Sequence, residues 1–141
     1  MELKLFALRL LVALAGGVAI GLERQWHHKS AGLRTNTLVT IGAAMYVLIS
    51  VQMASEGGDP TRVIGQVVVG IGFLGAGVIL HQGRDVQGLT TAATIWCSSA
   101  VGSLAGAGFL RESLISAGLI IVVNAFLLRI DNWLEKRNNR P

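Results

Sequence analysis

The residues able to do chemistry in this chain collect in its short polar pieces. Gly21-Leu22-Glu23-Arg24 is followed, after a loop holding His27, His28 and Lys29, by Ala31-Gly32-Leu33-Arg34-Thr35. A third polar piece runs Gly83-Arg84-Asp85-Val86-Gln87-Gly88-Leu89-Thr90-Thr91. Glu23 and Asp85 are of the right sign to pair with Arg24, Arg34 and Arg84 in a partly screened network, with the hydroxyls of Thr35, Thr90 and Thr91 on the same rim. Asp59, Arg62 and Gln66 form a second, smaller set: a charge pair in a tight turn, and an amide one helical turn beyond it.

Metal and catalytic chemistry find less support. Adjacent histidines such as His27 and His28 point in different directions on a turning loop, and no further ligands accompany them. Cys97 and Ser98 have no histidine in their own apolar stretch, and His81 lies at the end of another, so the reading is that the chain is not an enzyme. Cys97 is the single cysteine, which excludes an internal disulfide and a CxxC site and leaves it a small apolar residue. Gly70-Ile71-Gly72-Phe73-Leu74-Gly75 is literally GxGxxG, but no second parallel strand follows and Asp85 comes too soon for a dinucleotide fold.

The elements that must position these residues are apolar and long. Of the residues 52% are hydrophobic and only 14% charged, too little charge for the surface of a small soluble domain. Of the 20 charged residues only Arg9 and Arg129 fall within five apolar stretches at 5–22, 38–54, 63–80, 89–110 and 114–130. Each approaches the roughly 17 to 25 residues that a helix needs to cross hydrocarbon. Without barrel-like alternation, backbone pairing in lipid requires helices. The expected fold is all-α: one polytopic membrane domain over 1–141, with five transmembrane helices and a short basic tail at 131–141.

Placing the amino terminus outside gives the inner side eight Lys and Arg residues against four, so the topology expected is N-out, C-in. Trp26 and Trp133 then sit as interfacial anchors, while Arg9 can snorkel outward or pair with Glu2 or Asp59. The net charge of +4 is mainly topological, and no nucleic-acid partner is expected.

Thirteen of the 18 glycines fall in the stretches. Gly17-x-x-x-Gly21 and Gly102-x-x-x-Gly106 match a helix-packing spacing, and Gly70, Gly72, Gly75 and Gly77 make the third stretch a candidate packing core. The faces serve contacts within one bundle or, alternatively, a homodimer.

Taken in order, Gly21-Leu22-Glu23-Arg24, Ala31-Gly32-Leu33-Arg34-Thr35, Gly70 to Ile79 and Gly88-Leu89-Thr90-Thr91-Ala92-Ala93-Thr94 resemble the MgtC/SapB family of bacterial inner-membrane proteins over about residues 5–130. The resemblance implies a five-span inner-membrane protein linked to low-magnesium adaptation and, in pathogens, to virulence. It also implies regulation of other membrane proteins, among them the F-type ATP synthase and P-type ATPases. An older view of the family implies instead a transporter of magnesium or another cation, for which an oligomer could build the pore. Longer members carry a soluble carboxy-terminal domain where this chain has only Asp131 to Pro141, so it reads as a short member or a truncated one.

The residues weigh these two views independently. Magnesium takes hard oxygen ligands and gives up water reluctantly. None of the five stretches holds Asp or Glu; the midspan oxygens are those of Gln66, Thr94, Ser98, Ser99 and Asn124. Magnesium therefore lacks support in the ligand pattern and no cofactor is expected. The reading favoured is a regulator that associates with other membrane proteins through its charged inner rim and glycine-faced helices.

Overall fold

In the computed structural model, which describes residues 2–54, 57–82 and 85–138, the chain is a bundle of five helices with one short hairpin. The order is α1 (Leu3–Trp26), α2 (Leu33–Ala54), α3 (Pro60–Gly77), β1 (Leu80–Gln82), β2 (Asp85–Gln87), α4 (Leu89–Ala107) and α5 (Leu110–Asn138). Four helices, α1, α2, α3 and the Leu110–Asp131 part of α5, are long and apolar enough to cross a membrane. The expected fifth, α4, is diluted in apolar character by its hydroxyls. The fold puts these inside: Thr91, Thr94, Ser98 and Ser99 are all buried.

Helix α2 makes the most extensive contacts, with α4 and with α1, while α5 is laid against α1 and α4, and α3 against α4 and α2. Small residues form the centre. Ala13, Ala44 and Ala105 meet in one cluster, and Ile20, Val101 and Ala117 in another. Large apolar side chains such as Phe73, Ile115, Val122 and Phe126 point outward, as they must when the surroundings are hydrocarbon.

Close approach centres on α2. A Cβ on Gly17 of α1 would lie 2.8 Å from the Thr37 Cα and inside the Thr40 hydroxyl. One on Gly102 of α4 would lie 2.8 Å from the Thr40 Cα and closer still to its carbonyl oxygen. Gly21 meets the Leu33 backbone in the same way, and Gly106 that of Ala44. The expectation for α3 is not met within the chain. A Cβ on Gly75 would make an ordinary 3.6 Å contact with the Ala92 Cβ, while Gly70, Gly72 and Gly77 have open space where a side chain would be. α3 touches its neighbours along one narrow side, so most of its glycines lie outside the bundle.

Several boundaries differ from the apolar stretches, with α2 beginning at Leu33 and α4 ending at Ala107. α3 stops at Gly77, not at position 80, since Leu80–Gln82 pairs antiparallel with Asp85–Gln87, with Leu80 opposite Gln87. Gly88 follows at φ +90, a conformation that suits glycine, and a Cβ there would run into the Val78 carbonyl. α1 and α5 run past their apolar parts, to Trp26 and Asn138, because the basic flanks remain helical.

Arg9 takes neither expected partner. Its Nη1 donates to the Gly106 carbonyl at 2.8 Å, and the guanidinium lies over Gly108. A cation here meets the negative end of α4 and serves a carbonyl that has no helical donor. Asp59 likewise makes a cap: Oδ1 accepts from the Thr61 amide at 2.9 Å and from its hydroxyl at 2.6 Å, with Pro60 at the first helical position.

Candidate functional site

Where α1 ends and α4 begins, the chain has to reconcile charged residues with an apolar bundle. Glu23 and Arg24 remain on the last turn of α1, so their side chains fall on different sides of it. Arg24 turns inward and is only 2% exposed. Its Nη2 donates to the Ser30 carbonyl at 3.0 Å and to the Thr91 hydroxyl at 2.5 Å; Ser30 Oγ and Thr91 Oγ1 lie 3.2 Å apart. The buried guanidinium thus ties the α1–α2 loop to the first turn of α4. The loop takes two left-handed residues, His28 at φ 52 and Ala31 at φ 55, to come back over it.

Glu23 does not pair with Arg34. Its Oε1 stands 3.1 Å from His27 Nδ1, while the second oxygen, Oε2, is buried without a hydrogen-bond partner. Glu23, Arg24, Lys29 and Ser30 line a cleft of about 820 Å³, with Gln87, Thr90 and Thr91 on one side and Asn124 and Asp131 of α5 on the other. Its lower wall is apolar, formed by Val78, Leu89, Val123, Leu127 and Leu128.

Of the rim residues expected to act together, the fold assembles Glu23, Arg24, Thr90 and Thr91. Arg34 and Thr35 sit exposed on the first turn of α2, outside the cleft. Asp85 is placed as backbone in β2; its side chain lies outside the described residues, as does Arg84.

Arg62 and Gln66 are exposed on α3, with Gln66 beside an apolar groove of about 440 Å³ between α2 and α3. Cys97 is half-buried on α4.

Two polar pairs join helices, one of them reaching the cleft through Asn124. Ser98 Oγ donates to Asn36 Oδ1 at 2.8 Å, and Asn36 Nδ2 in turn donates to the carbonyls of Ala31 and Gly32. Thr94 Oγ1 donates to the Thr90 carbonyl at 2.8 Å and meets the Asn124 amide at 3.3 Å. Asn36, fully buried, and Ser30 carry no sequence signal of their own; each becomes polar machinery only when the α1–α2 loop folds back. Among the described residues, no three His, Cys, Asp or Glu side chains are grouped to hold a metal ion.

Comparison with known proteins then places the chain. It is 48% identical over 134 residues to an uncharacterized protein of Synechocystis, covering 95% of this chain and 56% of that one. It is 53% identical over 122 residues to Protein MgtC of Brucella abortus, covering 86% of this chain and 50% of that protein. Protein MgtC of Salmonella typhimurium is 48% identical over 122 residues, covering 86% and 52%. The chain therefore spans about half the length of the curated relatives it matches. No solved structure matches it. The match to the MgtC family itself runs over residues 10–133, through every helix and the cleft, and the chain belongs to that family.

Proposed function

We propose that this protein is a multi-pass inner-membrane regulator of magnesium economy, acting by association with other membrane proteins of the ATP synthase or P-type ATPase class, with a role in virulence where its host is a pathogen. The amino terminus lies outside, so the Glu23–Arg24 cleft, Arg34 and Thr35 face the cytoplasm.

The observation that carries the reading is the distribution of polar groups. Charge and hydroxyls concentrate around buried Arg24 at one face, whereas Asn36 with Ser98, and Thr94 with Asn124, hydrogen-bond in pairs across helices. Groups paired across helices stabilise a bundle; a magnesium path needs oxygens free to replace water.

Purified protein in liposomes is accordingly expected to move no magnesium; a saturable, protein-dependent flux would establish the transporter instead. For orientation, Gly57→Cys in a Cys97→Ser background is expected to label from outside the cell, and labelling from the cytoplasm reverses it.

A further inference from the structure

The cleft holds two buried groups that the protein leaves incomplete. The Glu23 side chain is 9% exposed and its Oε2 has no partner. Arg24 is 2% exposed and its Nε has none. Leaving such groups unserved is costly. A carboxylate only accepts and a guanidinium only donates, so one occupant satisfies both only by bringing a donor and an acceptor together.

Several occupants fail that requirement. A simple anion would meet Arg24 and Lys29 but be repelled by Glu23 and Asp131. A bare divalent cation would meet Glu23 and Asp131 but face the two basic side chains of the same cleft. A quaternary ammonium carries no N–H to donate.

The lower wall supplies a further constraint. Leu89, Val123 and Leu127 line the cleft and are about half exposed, the last two within the part of α5 that is apolar enough to cross a membrane. The site therefore opens from a polar head space onto hydrocarbon.

We propose that this cleft binds a zwitterionic phospholipid with a primary ammonium, of the phosphoethanolamine headgroup class. The ammonium donates to Glu23, the phosphodiester accepts from Arg24 and Lys29, and the acyl chains run along Leu89, Val123 and Leu127. Glu23 and Asp131 stand near the ends of the apolar spans of α1 and α5, which on this proposal puts the cleft at headgroup depth, where the ligand is abundant.

The test is lipid retention by the full chain in micelles containing equimolar phosphatidylethanolamine and phosphatidylcholine of identical acyl chains, read by native mass spectrometry. Wild type is expected to retain the primary amine about tenfold over the trimethylated one, roughly the worth of one charge-assisted hydrogen bond. Glu23→Gln is expected to remove most of that preference. Lys29→Gln, on the exposed loop where folding is not at risk, is expected to lower retention of both lipids and leave their ratio unchanged. Arg111→Gln, at the other end of the bundle, is expected to match wild type. Equal retention by wild type, an undiminished ratio in Glu23→Gln, or unaltered retention in Lys29→Gln overturns the proposal. Soluble phosphoethanolamine in large excess is expected to leave the lipid bound; full displacement assigns the cleft to a soluble zwitterion and overturns it as well.

Discussion

Gly102→Ala tests how this bundle is held together. The new methyl group would sit 2.8 Å from both the Cα and the carbonyl carbon of Thr40, closer than carbon atoms tolerate. What it meets is backbone, so no rotamer change relieves the clash; α4 has to move off α2. Overpacking of this kind costs about 1–3 kcal/mol, and rigid backbone on the other side puts it at the upper end. Against this stands a gain of about 1 kcal/mol in helix propensity. The net expectation is a loss of about 1–2 kcal/mol, or roughly 5 °C in melting temperature for a chain of this size. Gly42→Ala, on α2 with open space around it, keeps the propensity gain without the clash and is expected to hold or raise the melting temperature. Thermal unfolding in detergent, followed by thiol reactivity of Cys97, reads both variants. If Gly102→Ala is as stable as wild type, α2 and α4 do not meet through Thr40 and the packing described is wrong.

Thr91→Val preserves shape but removes an acceptor from buried Arg24, and a hydrogen bond to a charged group is worth about 1.5–3 kcal/mol. It should lower thermal stability clearly more than Thr90→Val, on the exposed side of the same turn. Arg9→Met keeps the aliphatic stem and loses the bond to the Gly106 carbonyl, with an expected cost of about 1–2 kcal/mol; an unchanged melting curve would show that α4 needs no such cap. Asp59 is a matter of pH. The hydroxyl and then the backbone amide of Thr61 hold its carboxyl below the usual carboxylate range. A depressed value means that the cap stabilises fully above the unfolded value, about 3.9, and weakens as pH falls through the folded one. The difference between wild type and Asp59→Ala is thus expected to be flat from neutral pH to about 4 and to shrink below it; a difference that grows on acidification would contradict the assignment.

Much of this architecture is legible in the sequence because lipid imposes length and apolarity on whatever crosses it. The stretches at 5–22, 38–54 and 114–130 lie inside α1, α2 and α5. What apolarity does not carry is direction. Gly17, Gly21, Gly102 and Gly106 sit against a neighbouring backbone, and Gly70, Gly72 and Gly77 sit against nothing in the chain, yet both sets read alike as glycine in apolar surroundings.

The hairpin between α3 and α4 has three-residue strands, too short for alternation to register. Arg9 reads as a charge seeking a carboxylate, because the carbonyl it caps is 97 residues away.

In the cleft, Glu23, Arg24, Thr90 and Thr91 stand out as polar residues flanking apolar runs. Their joining by Ser30 depends on a loop with two left-handed residues, neither of them glycine.

We propose that the cleft face acts through another membrane protein. Site-specific photocrosslinking in native membranes from position 34, beside the cleft on the first turn of α2, tests it most directly. A discrete adduct with a second membrane protein is expected, reduced at least severalfold by Glu23→Ala in the same chain. Adducts with lipid alone, or a protein adduct of equal yield in wild type and Glu23→Ala, would contradict it.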